Sequence, residues 1–134
     1  TFWRDTEAGV AGGERVLLAA YVGADLVGAV QLAGSPKANQ AHRADVQKLL
    51  VLRAARGQGI GTALMRALER EAQRAGRWLL TLDTRTGSAA DRLYRQLGWT
   101  EVGPIPDYAA DPDRTLASCT FFYKRLQFAG GAPT

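Results

Sequence analysis

Apolar and polar residues first alternate along this chain, then fall into a helical spacing, then alternate again. Residues 14–22 are rich in Val, Leu and Tyr and read as a strand. Gly23-Ala24-Asp25 is turn chemistry, and 26–33 is a second strand, so the pair predicts an antiparallel hairpin. A polar loop with one proline follows over 34–41. The third strand, 42–52, alternates in its outer half and is continuously apolar from Leu49 to Leu52. That pattern predicts a strand buried on both faces near the centre of a sheet.

The spacing then turns helical. Ile60, Leu64, Leu68, Ala72 and Ala75 share one face of a helix over 57–75, opposite Arg66, Glu69, Arg70, Gln73 and Arg74. Gly76 ends it, and 77–84 is a fourth strand, which makes the helix a crossover between parallel strands. Ser88 is a good N-cap with Asp91 three residues later, a capping box with a shorter acid. Ala90, Leu93, Tyr94 and Leu97 form the inner face of that second helix, and Gly98 stops it. Residues 99–102 start a fifth strand, 103–114 with prolines 104, 106 and 112 form a long loop or irregular strand, and 117–126 is the last strand before a tail over 127–134. Residues 2–13 read as the tail of a helix with a glycine stop. The order predicts an α/β (α+β) class: a mixed sheet with helices packed on it.

The connection between third strand and main helix carries the chemistry. Glycines 57, 59 and 61 stand where a helix begins. The first N–H groups of a helix have no internal partner and carry the positive end of its dipole, so an anion, phosphate above all, can rest on bare backbone there. Arg56 adds a permanent cation. A P-loop is excluded, because no Lys-Ser or Lys-Thr occurs in the chain. A dinucleotide fingerprint fits Gly57 and Gly59 but meets Thr62 at its last position and sits four residues beyond the strand. The third pattern is Arg-x-x-Gly-x-Gly over Arg56, Gly57, Gln58, Gly59, Ile60 and Gly61.

That pattern, with Ala90-x-x-Leu93-Tyr94-x-x-x-Gly98-Trp99 downstream, resembles the GNAT superfamily of N-acetyltransferases over residues 14–126. Residues 42–49, Leu82-Asp83-Thr84 and 108–126 look more narrowly like its tabtoxin-resistance acetyltransferase group. The resemblance implies a GNAT fold, mostly antiparallel, with helices on both faces and a central splayed parallel pair of strands. It implies an initial strand and helix before the residues seen here, so the chain reads as truncated. It also implies acetyl transfer from acetyl-CoA to a primary amine. The backbone from Arg56 to Thr62 would hold the diphosphate, and Leu49, Leu50 and Val51 would lend backbone groups to the acetyl and pantetheine end. Tyr94 would serve the leaving thiolate, as acid or hydrogen-bond donor. An asparagine frequent in the family seven residues before the tyrosine is Gly87 here.

Two carboxylates compete to take the proton that an ammonium acceptor must lose: Asp45, on the third strand, and Asp83, at the end of the fourth. His42 is the only histidine, and no set of metal ligands surrounds it in the sequence. Cys119 reads as a buried residue of the last strand. Asp107, Tyr108, Asp111 and Asp113 could line a pocket for a cationic acceptor or simply form a solvated loop.

Composition narrows the picture a little further. With 134 residues, 46% of them hydrophobic, the chain is expected to be one domain over 1–134. No apolar run is long enough to span a bilayer. The single cysteine favours a reducing compartment, hence the cytoplasm. A net charge of +4 without a basic run interleaved with aromatics suits a small polyanionic ligand better than nucleic acid. The expected partners are acetyl-CoA and a small amine, perceived by resemblance as an amino-acid-like antimetabolite whose acetylation would confer antibiotic resistance. A homodimer is compatible with this. The rival readings are acetylation of a protein or aminoglycoside amine, and a non-catalytic acyl-CoA-binding module.

Overall fold

The computed structural model describes residues 2–8 and 14–127, with side chains from 15 to 127. They belong to two compact units, 1–80 with 125–134, and 81–124. In the first unit β1 (Phe2–Ala8), β2 (Glu14–Val22), β3 (Asp25–Gly34) and β4 (Arg43–Val51) neighbour one another in that order, each antiparallel to the next. The expected helix tail at the amino-terminal end is therefore corrected over 2–8. A segment this short cannot sustain a helix alone, whereas pairing with β2 gives its backbone partners. The glycine stop at 12–13 and the tail beyond 127 lie outside the described residues.

Helix α1 (Ile60–Arg74) packs on β2, β3 and β4. Partners in register share a face of a sheet. Val16 pairs with Leu32, Leu18 with Val30, Ala20 with Gly28 and Leu32 with Val46, and this set turns toward the helix. Gly28 marks the closest approach, since a Cβ there would come within 3.1 Å of both Ile60 Cγ2 and Leu64 Cδ1. Val30, Leu64, Met65, Leu68 and Ala72 are fully buried beneath it. Each large apolar side chain removed from water contributes about 2 kcal/mol, so packing holds the helix more than propensity does.

Strand β4 departs from its expected burial. Gln31 pairs with Gln47 but Ala29 with Leu50, so β4 has one residue more than β3 across this step. The extra residue falls at Lys48, whose φ is 55°. The bulge shifts the alternation by one. Ala44 and Val46 before it, and Val51 after it, share the helix face, while Asp45, Gln47 and Leu50 share the other. Leu50 is consequently 67% exposed and Leu52 57%. The apolar run is not buried on both faces.

Strands β5 (Leu79–Arg85), β7 (Leu116–Arg125) and β6 (Thr100–Ala110) lie in that order, α2 (Ala89–Gln96) connects β5 to β6, and all of these but Leu79, Leu80 and Arg125 belong to the second unit. The proline-rich 103–110 is strand rather than loop. It lies on an edge, where a missing N–H costs no ladder bond. Register shifts between Glu101 and Gly103 and between Ile105 and Ala109 absorb the surplus residues, with Asp107 at φ 57°.

The capping box forms. Ser88 Oγ accepts from the Asp91 N–H at 3.1 Å, and Asp91 Oδ2 accepts from the Gly87 N–H at 2.7 Å. Asp91 also accepts from Arg95 Nε at 2.6 Å. Burial pushes its carboxyl up, but the Gly87 N–H and the Arg95 guanidinium outweigh that and hold it below its ordinary 3.8. A lowered carboxyl contributes stability above its unfolded pKa and loses it as pH falls through the folded value. Asp91→Ala is therefore expected to cost about 1–2 kcal/mol at neutral pH, the scale of a lost cap. The gap between variant and parent should close below pH 3.8. Thermal melts across pH check both; a gap that stays constant into acid would refute the assignment.

Candidate active site

Within the first unit, β4 ends at Val51, Leu52 N–H donates to the Val27 carbonyl at 2.8 Å, and a single 3-10 turn (Arg53–Ala55) leads to the glycines. Gly57 has φ 82° and Gly59 φ 75°, left-handed conformations that a residue with Cβ resists. Gly59 is the N-cap of α1, and no side chain caps the helix. The first ordinary helical bond runs from Ala63 N–H to the Gly59 carbonyl. The N–H groups of Ile60, Gly61 and Thr62 precede it and have no side-chain cap. Nothing lies within 4 Å of where a Cβ would sit at Gly57 or Gly59. Beside the helix start is a cavity of about 240 Å³ between Tyr21, Val22 and Val27 of the hairpin and Gln58, Gly59 and Ile60. Arg56 is exposed, and its Nε donates to the Val51 carbonyl at 3.3 Å, which tethers the guanidinium to the end of β4. The geometry offers uncapped donors and a tethered cation in open space, which is what a diphosphate requires.

Leu49, Leu50 and Val51 follow directly on the Lys48 bulge. Asp45, upstream of it, is half-buried, and its Oδ1 accepts from Arg43 Nη1 at 2.6 Å.

In the second unit the structure brings Asp83 and Tyr94 into electrostatic contact. Tyr94 is 4% exposed, with Trp99 at 5.7 Å and Phe122 at 6.0 Å between ring centroids. Burial first, and the Asp83 charge second, push the phenol up to about 12. The hydroxyl thus keeps its proton at any physiological pH. Burial, and then Asp83, also push the Cys119 thiol up, so a thiolate nucleophile is disfavoured. Gly87 has φ 78°. Glycine adopts this left-handed conformation without the strain a Cβ would bring.

Other expected residues have local roles. Asp111 pairs with Arg85 at 3.0 Å, and Asp113 Oδ1 accepts from the Thr115 N–H at 2.9 Å, closing the β6–β7 turn. His42 stacks on Trp78 at 4.9 Å. The bulge at Lys48 is a feature that hydrophobic patterning alone does not announce. Its trace is there: Asp45 and Gln47 are polar at odd positions, whereas Leu49 and Val51 are apolar at odd positions, a change of parity.

The chain matches the family described as an acetyltransferase (GNAT) domain over residues 13–101, more than half its length, and it belongs to that family. It has the GNAT fold, a mixed sheet with two helices. Among solved structures, a ribosomal-protein-alanine N-acetyltransferase from Brucella melitensis is similar at 25% identity and a TM-score of 0.74, covering 84% of this chain and 69% of that one. The fold is also shared with yncA of Salmonella typhimurium, solved with its cofactor acetyl-CoA, at 20% identity and a TM-score of 0.73, covering 93% and 70%. An IAA acetyltransferase of Azospirillum brasilense is 38% identical over 69 residues, 51% of this chain and 45% of that protein. The chain spans just under half the length of that curated relative.

Proposed function

We propose that this chain is a single acetyltransferase domain that uses acetyl-CoA to acetylate a primary amine of a small, amino-acid-like molecule. The observation that carries this reading is the uncapped start of α1 behind two left-handed glycines. The family match, which runs through both units, and the acetyl-CoA complex of yncA support it. In this reading the N–H groups from Gly57 to Thr62, with Arg56, hold the diphosphate. Backbone beside the Lys48 bulge, at Leu49 to Val51, receives the pantetheine and the acetyl carbonyl. The amine nitrogen attacks the thioester carbon; a C–N bond forms, the C–S bond breaks, and the electron pair leaves on sulfur. Tyr94 donates a hydrogen bond to that thiolate. Asp83, whose charge reaches Tyr94, takes one proton from the acceptor's ammonium before the free amine attacks, with Asp45 the second candidate, and the nitrogen's second proton passes to water as the C–S bond breaks. A tabtoxin-resistance type of activity in the cytoplasm fits the narrower resemblance.

Calorimetric titration with acetyl-CoA and with CoA, followed by an amine panel assayed for free thiol, tests the proposal. Binding at micromolar concentrations and turnover of at least one small amine are expected. Binding without transfer to any amine would favour a non-catalytic acyl-CoA module. A second reading, acetylation of a protein's terminal amine, is favoured by the Brucella relative's name and 25% identity. Turnover of peptide amines above every small amine would select it.

A further inference from the structure

We infer that Arg15, on the sheet face turned away from α1, binds the carboxylate of the acceptor and selects amino-acid-like amines. This rests on the transferase reading above, which lacks any residue for recognising the acceptor.

Register defines the surface. On the face opposite the helix, Arg15, Ala33 and Asp45 form one row across β2, β3 and β4; Leu17, Gln31 and Gln47 form the next; Ala19, Ala29 and Leu50 form the third. Arg15 is half-buried, and its Nη1 donates to Gln31 Oε1 and to Gln47 Oε1, each at 3.1 Å. Two neutral amides from two strands hold the guanidinium in place but do not balance its charge. A guanidinium has five donors, and both bonds leave from one nitrogen. Among the described side chains no carboxylate pairs with it. A partly desolvated arginine held by neutral partners is set up for a bidentate anion. Phosphate already has its donors at the α1 turn, so a carboxylate is the complement left for Arg15. Ala29 and Ala33 put only small, half-buried side chains on this face, and Leu50, 67% exposed on the same face, gives an apolar wall for the acceptor's carbon skeleton.

The test uses the CoA-loaded protein, titrated with a panel of amino acids and with the amines that lack their carboxylates. The parent is expected to bind the carboxylate-bearing member of each pair at least tenfold tighter. Arg15→Gln should remove that preference. Gln47→Glu should remove it too, by placing an acid on Arg15 without opening a cavity; this second variant keeps the test decisive if Arg15→Gln folds poorly. Glu7 lies opposite Arg15 in the β1–β2 register, so Glu7→Gln is the control and should leave the preference within about threefold. No preference in the parent, or a preference that survives both Arg15→Gln and Gln47→Glu, overturns the inference. So does a gain above tenfold on Glu7→Gln, because Arg15 would then already be neutralised within the chain. Turnover is followed in parallel. Acetyl transfer without carboxylate preference refutes the role of Arg15 alone, whereas carboxylate binding lost in the variants but no transfer to any amine refutes the transferase reading and upholds the site.

Discussion

Tyr94→Phe is expected to lower kcat for acetyl transfer about a hundredfold and to leave the KM for acetyl-CoA within about twofold, the pattern of a donor used only in the transition state. The substitution removes one hydroxyl from a ring already packed between Trp99 and Phe122, so the shape of the site is kept. The elevated phenol decides what kind of help it gives. With a pKa of about 12, handing its proton outright to a thiolate whose acid has a pKa of about 8.5 runs uphill by roughly 5 kcal/mol. A hydrogen bond to the developing thiolate avoids that step, and CoA then takes its proton from solvent. The Asp83 charge, the smaller of the two causes, vanishes if Asp83 accepts the ammonium proton, and this eases donation as the C–S bond lengthens. Two measurements follow. A thioester with a more acidic leaving thiol should recover much of the loss in Tyr94→Phe. The parent's rate should show no alkaline fall attributable to Tyr94 below pH 10, its ordinary value. Full activity of Tyr94→Phe would reduce the residue to packing.

The same shift links to stability. A phenol raised from 10 to about 12 favours the folded state fully below pH 10, and that contribution is lost as pH rises through the folded value. Tyr94→Phe should therefore flatten the alkaline fall in stability between those limits. Activity and alkaline melting thus report on one hydroxyl by independent routes.

What the sequence made legible is what depends on near neighbours. The stripe of Ile60, Leu64, Leu68 and Ala72, the Ser88–Asp91 box and the glycine turn are local patterns, and the structure contains each of them. The remainder depends on which strand meets which. Lys48 looks like any exposed lysine until β3 is laid beside β4 and one residue is left over. Leu49 to Leu52 reads as centrally buried because hydrophobicity alone cannot tell that a bulge turns Leu50 outward. Pro104 and Pro106 leave loop and irregular strand equally open in the sequence, and the edge position that admits the strand is a property of the sheet. Arg15 and its two glutamines lie 16 and 32 residues apart, so their meeting is a property of register alone. The candidate site therefore divides in the same way: the anion turn is readable in six consecutive residues, and the surface proposed for the acceptor is not.

Gly59→Val is expected to weaken acetyl-CoA binding about thirtyfold or more, roughly 2 kcal/mol. A β-branched residue at φ 75° is strained, and the cheapest relief is to rotate the turn. Rotation swings the first N–H groups of α1 off the line they share, and the diphosphate loses several donors at once. Strain alone would also lower stability, so a control must carry strain without touching the turn. Gly76, just beyond the other end of α1, has the same φ of 75°. Gly76→Val should melt earlier, by an amount comparable to Gly59→Val, and bind acetyl-CoA as the parent does. The diphosphate itself is isolated by comparing acetyl-CoA with acetyl-pantetheine, which lacks it. The parent should prefer acetyl-CoA, whereas Gly59→Val should bind the two about equally. If Gly59→Val keeps the full preference, the phosphates are held by something other than the start of this helix, and the function built on that turn fails with it.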